Sequence, residues 1–191
     1  MRCPPRGLNC ARGGPSLGRS PPRFSLRVLR WQNQGLVHTS VTRSMSRPLA
    51  EHRNAYKVFR PISTRWMDND VYGHINNVVY YSWFDTAVNG YLIERAALDM
   101  HAGGVIGLVV ETQCNYFAPL SFPQAVLAGI RVASIGSTSV RYEVGLFANG
   151  DNATDQPCAA KGHFIHVYVD RRSRQPAPLP AALLSVLETL K

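Results

Sequence analysis

The residues best suited to chemistry lie close together, between positions 68 and 77. These ten positions hold two aspartates, three asparagines, a histidine and a glycine: Asp68, Asn69, Asp70, Gly73, His74, Asn76 and Asn77. Carboxylates and a histidine are the usual groups for acid–base catalysis, for nucleophilic attack and for binding a metal ion. Asparagine and glycine also form turns and helix starts, so a structural role has to be weighed beside these functions.

A metal site is the least favoured interpretation of this segment. Asp68 and Asp70 offer oxygen ligands, but a calcium-binding loop needs an acid at its twelfth position, which here is Val79. His74 has no second histidine or cysteine at the spacing of a zinc site. The pattern therefore predicts no bound metal.

The segment is more polar than a turn and a helix start require. Gly73 can take a positive φ, and either Asn76 or Asn77 can cap the helix that follows. One polar cap is enough, however, and two carboxylates two positions apart repel each other. We therefore predict a functional site at the start of the helix, where free N–H groups can polarise a carbonyl beside a carboxylate.

The hydrophobic pattern predicts the elements that flank this site. Residues 56–66 alternate up to Trp66, which indicates a strand, and Pro61 indicates that the strand lies at an edge or has a bulge. Residues 77–95 are apolar around most of a helical circumference, which predicts a buried helix. Its narrow polar stripe consists of Ser82, Asp85, Thr86 and Asn89.

The rest of the chain alternates with a period of two and predicts four further strands in a meander. One face of the first strand carries every second residue from Ile106 to Tyr116. Turn signals occur at 118–123, 135–137 and 149–152, and a short amphipathic helix follows Pro180. The other three strands are predicted at about 126–132, 140–146 and 158–169. The expected fold class is α+β: a curled antiparallel sheet of about five strands wrapped around one long buried helix.

The positive charge is confined to the N-terminus. Residues 1–50 carry nine of the 21 basic residues and no acid, which leaves 12 basic and 12 acidic residues for 51–191. The domain therefore lacks the basic face of a nucleic-acid-binding protein. The Arg-rich, acid-free leader predicts a mitochondrial transit peptide and a matrix location. The alternatives are a disordered basic tail, or a cytoplasmic protein if translation starts at Met45.

The cysteines and the apolar runs exclude two further classes of protein. Cys3 and Cys10 lie in the leader, and Cys114 and Cys158 are far apart, so neither a disulfide framework nor a zinc knuckle is predicted. The two domain cysteines are interpreted as small buried apolar side chains. No apolar run approaches the roughly 18 residues that a membrane span needs.

Two longer stretches resemble a known family. "DNDVYGHINNVVYYSWFD" and "VVETQCNYFAPLSFPQAVLAGI" resemble the 4-hydroxybenzoyl-CoA thioesterase family of hot-dog-fold acyl-CoA thioesterases, over about residues 57–170. The resemblance implies a thioesterase domain at 55–172, followed by a tail with a short helix at 173–191. It implies hydrolysis of an acyl-CoA without a separate cofactor, since coenzyme A is part of the substrate. A single helix cannot cover the outer surface of its own sheet, so a homodimer with sites between subunits is expected, or a homotetramer.

The resemblance assigns roles to particular residues. Asp70 is implied to be the catalytic nucleophile or general base, and the backbone amide of Asn77 to polarise the carbonyl. Asp68 is implied to be structural, while His74 either orients water or packs. Asp85 matches an acid found on the helix of relatives, although a solvated position explains it as well. The candidate substrate-binding residues are Gly73, Arg171 and Arg172, the arginines through the phosphates of coenzyme A.

Two other functions remain open on the same fold. Hot-dog hydratases and dehydratases resemble one another in an Asp and a His five positions apart, whereas Asp70 and His74 are four apart. A subunit that binds acyl-CoA or a partner protein without catalysis is the second alternative.

Overall fold

A five-stranded antiparallel sheet packed against one long helix forms the centre of the fold. The computed structural model describes residues 48–99, 101–148 and 155–191, so most of the predicted leader and the turn at 149–152 lie outside the described residues. The elements, in chain order, are β1 (Val58–Ile62), α1 (Asn77–Glu94), β2 (Val105–Tyr116), β3 (Val126–Ile135), β4 (Ser139–Ala148), β5 (Ala160–Asp170) and α2 (Ala181–Glu188). This is the hot-dog architecture that was expected.

Helix α1 is buried against the inner face of the sheet, as predicted. Gly162 on β5 allows this contact, because a Cβ there would lie 2.2 Å from the ring of Phe84. The helix is not covered all round, since Val78 is 63% and Ile93 is 57% exposed. Its buried side chains are Tyr80, Trp83, Phe84, Ala87, Val88, Tyr91 and Leu92.

The order of the strands is β1-β3-β4-β5-β2, which corrects the predicted meander. Only β3, β4 and β5 follow one another as neighbours, whereas β2 pairs with β5 at the far edge. Residues 117–125 carry the chain from β2 back to β3. Hydrophobic alternation shows which side chains face the core, but it does not show which strands are neighbours.

A bulge in β2 corrects the prediction of one continuous face for this strand. The register against β5 shifts at Val110. After the bulge, Thr112 and Cys114 pair with residues on the face that contacts α1, whereas Ile106 and Leu108 before it pair with residues on the outer face. The prediction was wrong because one extra residue inverts the alternation.

The first strand is shorter than predicted. Strand β1 lies at an edge of the sheet, as Pro61 indicated, but it ends at Ile62. Trp66 is therefore not a strand residue; it begins a short 3₁₀ helix, Trp66–Asp68, and is 79% exposed.

Helix α2 follows Pro180, as predicted, and buries Leu183 and Leu187. None of the described helices is both long and apolar enough to span a membrane.

Candidate active site

The polar segment forms a closed turn immediately before α1. A bridge joins Asn69 to Ile75, the backbone N–H of Asp70 donates to the carbonyl of His74 at 2.7 Å, and that of Gly73 donates to Asp70 at 3.2 Å. Gly73 has a φ of +80°, and a Cβ there would meet no atom within 4 Å. The turn therefore needs glycine for its backbone angle and not for space.

The turn is fixed to the connection between β2 and β3. The N–H of Ile75 donates to the carbonyl of Leu120 at 2.8 Å, and the side-chain oxygen of Asn69 accepts the N–H of Phe122 at 3.0 Å. These anchors could not be predicted from the sequence, because residue types in a turn do not show which distant backbone groups they contact. Together they set the position of Asp70 relative to the end of β2.

Asp68 is a structural residue in this turn. Its side chain is 1% exposed and accepts the backbone N–H of Arg65 at 2.7 Å and two guanidinium nitrogens of Arg65 at 3.0 and 2.9 Å. Its carbonyl accepts the N–H of Asn76 at 2.8 Å. The repulsion between the two aspartates is therefore offset by Arg65, a partner that the sequence analysis did not identify.

One of the two carboxylate oxygens of Asp70 is hydrogen-bonded within its own turn. Its Oδ1 accepts the backbone N–H of Tyr72 at 2.8 Å and that of His74 at 3.3 Å. The other oxygen, Oδ2, accepts no hydrogen bond from any described residue, and the side chain is half-buried. One oxygen thus fixes the carboxylate, and the other is available to water or to a ligand.

The start of α1 presents a free backbone donor. The side chain of Asn76 caps the helix by accepting the N–H of Val78 at 3.2 Å, while the N–H of Val79 donates to the carbonyl of Asn76 at 2.9 Å. The N–H of Asn77 donates to no other described residue. This amide lies at the positive end of a buried helix, where an oxyanion is stabilised.

A cleft of about 300 Å³ opens beside this amide. His74 and Asn77 line it, but Asp70 and Gly73 lie in the turn behind them. The imidazole of His74 is exposed and forms no hydrogen bond with another described side chain, so it contributes to the wall and not to the core. The full lining is His74, Ile75, Asn77, Tyr80, Tyr116, Phe117, Ala118 and Pro119.

Two tyrosines form the apolar wall of the cleft. The rings of Tyr80 and Tyr116 meet edge to face at 5.0 Å, and the hydroxyl of Tyr116 donates to the carbonyl of Asn77 at 3.2 Å. Burial raises the pKa of both hydroxyls, so they stay protonated at neutral pH. Neither the helical pattern nor the residue type marked Tyr80 as part of a site; its position one helical turn after the cap was the available signal.

The cysteines lack the character of nucleophiles. Burial raises the pKa of the Cys114 thiol to about 11, and burial also raises the pKa of Cys158. A thiol needs a lowered pKa to react as thiolate at neutral pH. Within the part of the chain that is described, no three His, Cys, Asp or Glu side chains form a group able to hold a metal ion.

The two candidate arginines are far from this cleft within the chain. Arg171 anchors the loop before β2, because its backbone N–H donates to Gly104 at 2.8 Å and its Nε donates to Gly103 at 2.7 Å. Arg172 follows it and is exposed. Both lie beside the first residue of β2, whereas the cleft lies beside the last.

Comparison with known proteins relates this fold to thioesterases. A family model described as "Thioesterase-like superfamily" matches residues 64–187. The crystal structure of the PA5185 protein from Pseudomonas aeruginosa is 52% identical, with a TM-score of 0.71, over 74% of this chain and 96% of that one. A Thermus thermophilus thioesterase solved with coenzyme A and Zn is 29% identical, with a TM-score of 0.56, over 71% and 95%. The uncharacterised Bacillus subtilis protein YsmA is 23% identical over 66% of this chain and 82% of its own.

Proposed function

Because the chain belongs to the thioesterase-like superfamily, we propose that it is a thioester hydrolase that converts an acyl-CoA and water to a free acid and coenzyme A. The observation that carries this proposal is the pairing of two groups at one helix start. The carboxylate of Asp70 has one oxygen without a described hydrogen-bond partner, and Asn77, a residue that lines the cleft, has a backbone N–H that donates to no described residue. Thioester hydrolysis needs both a group that delivers oxygen and a donor for the developing oxyanion.

The chemistry follows from these positions. The thioester carbonyl accepts the N–H of Asn77, which lowers the energy of the oxyanion formed on attack. In one route Asp70 Oδ2 removes a proton from an attacking water, the C–S bond of the tetrahedral intermediate breaks, and the thiolate of coenzyme A takes up that proton. In the other route Oδ2 attacks the carbonyl carbon, and the C–S bond breaks to give a mixed anhydride with Asp70 and the thiolate of coenzyme A. Water then hydrolyses the anhydride to the free acid and supplies the proton of the thiol.

Coenzyme A as the thiol carrier is supported by the Thermus thermophilus relative that holds it. The resemblance to the 4-hydroxybenzoyl-CoA thioesterase family suggests an aromatic acyl group. Aromatic and aliphatic acyl-CoAs are therefore compared in the same assay. The lining of the cleft is largely aromatic and aliphatic, which favours an apolar acyl group over a charged one.

The test is release of free thiol from a panel of aromatic and aliphatic acyl-CoAs. We expect wild-type turnover and a loss of about 10²- to 10⁴-fold in kcat for Asp70→Asn, which keeps the shape of the side chain. Asp85→Asn removes an exposed carboxylate of α1 and serves as the matched control, with kcat expected to stay within a few-fold.

Two outcomes would favour the other functions. Hydration of an enoyl-CoA without thiol release would indicate a hydratase, and saturable binding without turnover would indicate a non-catalytic subunit. Full thiol release by Asp70→Asn would remove Asp70 from the mechanism while leaving the thioesterase assignment in place.

A further inference from the structure

The proposed oxyanion donor belongs to the end of a helix, where backbone groups are held less firmly than in the middle of a helix. The N–H of Asn77 donates to no described residue, so no hydrogen bond of its own fixes its direction. Its direction depends instead on the two planar peptide groups that meet at this residue. A donor accelerates the reaction only if it already points to the place where the oxyanion forms. Whatever holds these two peptide groups therefore affects the rate.

Both of these peptide groups are hydrogen-bonded. In the group before Asn77, the carbonyl of Asn76 accepts the N–H of Val79 at 2.9 Å. In the group after it, the N–H of Val78 donates to the side chain of Asn76 at 3.2 Å. The carbonyl of this second group, which belongs to Asn77, accepts the hydroxyl of Tyr116 at 3.2 Å. The first two bonds are local and fix the helix start only relative to itself, whereas the third joins it to the end of β2.

The turn that carries Asp70 is attached to the same stretch of the chain. Its two anchors are the carbonyl of Leu120 and the N–H of Phe122. Both anchors follow Tyr116 closely, by four and six residues. The carboxylate of Asp70 and the N–H of Asn77 are thus both attached to one short segment at the end of β2. The position of one group relative to the other depends on this shared attachment.

The side chain of Tyr116 is suited to holding the helix start. Its ring packs edge to face against Tyr80, with the ring centres 5.0 Å apart, which restricts its movement. Burial raises the pKa of the hydroxyl, so it remains a hydrogen-bond donor at neutral pH. Phenylalanine at this position would keep the ring contact and lose the hydroxyl. The contribution of the hydroxyl can therefore be measured by a single substitution.

We propose that Tyr116 is a positioning residue, whose hydroxyl holds the peptide group of Asn77 so that the neighbouring N–H faces the thioester carbonyl that Asp70 serves. Tyr116 acts through the Asn77 amide and makes or breaks no bond of the substrate. Without the hydroxyl, only local bonds hold the helix start, and the amide spends less time in the productive direction. The inference rests on the proposed thioesterase function and adds a residue to the site that performs it.

The first experiment measures thiol release by Tyr116→Phe with the best acyl-CoA. Because the lost bond positions a donor for the transition state, we expect kcat to fall about tenfold and KM to change by less than about twofold. Tyr91→Phe is the matched control, since it removes a hydroxyl that lies 3.3 Å from Thr189, in the last turn of the same helix. Its kcat should stay within about twofold of the wild-type value.

Thermal melting of both variants measures the structural cost of losing one tyrosine hydroxyl. We expect the two melting temperatures to fall by similar amounts, with kcat reduced in Tyr116→Phe alone. An unchanged kcat for Tyr116→Phe, or a loss of equal size in Tyr91→Phe, would overturn the proposal.

A double-variant cycle tests whether Tyr116 acts through the Asn77 amide. Asn77→Pro lacks this N–H but keeps the carbonyl that accepts the hydroxyl. In that background Tyr116→Phe should lower kcat no further, because the group that it positions is already absent. A further loss of about tenfold would indicate a role independent of the amide, such as direct contact with the substrate, and would refute the proposal. If the wild type releases no thiol from any acyl-CoA, the proposed function fails; if it does and the two losses multiply, only the role of Tyr116 fails.

Discussion

At the level of single residues, the role proposed for Asn77 belongs to its backbone and not to its side chain. Asn77 lines the cleft, and the proposed oxyanion donor is its backbone N–H, which every residue except proline has. The proposal therefore predicts that the asparagine side chain is dispensable and that the amide is not. Asn77 is the first residue of α1, a position at which proline is well tolerated, so the amide can be removed without breaking the helix.

We therefore expect Asn77→Ala to retain kcat within a few-fold and Asn77→Pro to lose about 10²- to 10³-fold. The measurement is thiol release from the best acyl-CoA, with circular dichroism and thermal melting to confirm that both variants fold. Equal activity of the two variants would show that the oxyanion is stabilised elsewhere.

Cys114 gives a second prediction for a single residue. With a pKa raised to about 11 from an ordinary 9.0, its thiol carries about a hundredfold less thiolate than an unperturbed cysteine at neutral pH. Iodoacetamide should modify it slowly at pH 7.5 and faster as the pH rises, and Cys114→Ala should keep its activity. Rapid modification of Cys114 at pH 7.5 with parallel loss of turnover would show that its thiol takes part in the reaction.

At the level of elements, the sequence predicted what local patterns encode and missed what depends on distant partners. The buried helix and its Asn76 cap, the α+β class and the edge position of Pro61 follow from periodicity and residue type. The bulge at Val110 does not, because alternation looks the same until a neighbouring strand fixes the register. The same holds for the candidate site. Its turn could be predicted from residue types, but the hydrogen bond from Ile75 to Leu120 could not, because it joins distant parts of the chain.

The interior of the sheet contains a histidine that makes stability depend on pH. His166 on β5 is 3% exposed, with Tyr142 of β4 and Tyr168 beside it, and its Nε2 has no described hydrogen-bond partner. Burial lowers its pKa below the ordinary 6.5, and Asp85 on α1 opposes this shift only in part. The unfolded chain therefore binds this proton more readily than the folded protein does.

It follows that folding stability is complete above about pH 6.5 and falls as the pH drops toward the lowered pKa, by at most about 1.4 kcal/mol per pH unit from this group. Thermal melting between pH 8 and pH 5 should show a smaller decline for His166→Phe than for wild type. His101→Gln, at an exposed histidine, should keep the wild-type slope. Identical slopes in all three proteins would contradict the role of His166.

The contact between β4 and β5 includes a buried pair of hydroxyls. Tyr142 and Tyr168 are both 0% exposed, and their oxygens lie 2.7 Å apart. Tyr142→Phe leaves the other hydroxyl buried without this partner, which should cost about 1–3 kcal/mol in the free energy of unfolding. The double variant with Tyr168→Phe should cost less than the sum of the two single changes. Urea denaturation of the four proteins measures this, and strict additivity would show that the bond contributes nothing.

At the level of the whole molecule, an excess of positive charge is confined to the first 50 residues. Nine of the 21 basic residues and none of the acids lie in residues 1–50, so the remaining 141 residues are balanced at 12 and 12. The relatives named above are bacterial, and the Pseudomonas aeruginosa chain is covered almost completely by 74% of this one. About a quarter of this chain thus has no counterpart there, and the case for import depends on the leader's composition alone.

We expect residues 1–50 to carry a fluorescent reporter into mitochondria, because an Arg-rich, Ser-containing, acid-free segment is what the import machinery accepts. Replacing Arg23, Arg27 and Arg30 by Gln keeps the length and the apolar residues of the leader, and this variant should leave the reporter in the cytoplasm. Expression of the whole chain with Met45→Leu separates the two starts, since a product that begins at Met45 has lost eight of the nine arginines and should disappear in this variant. A reporter that stays cytoplasmic with the unaltered leader would show that this segment does not direct import and would overturn the predicted mitochondrial location.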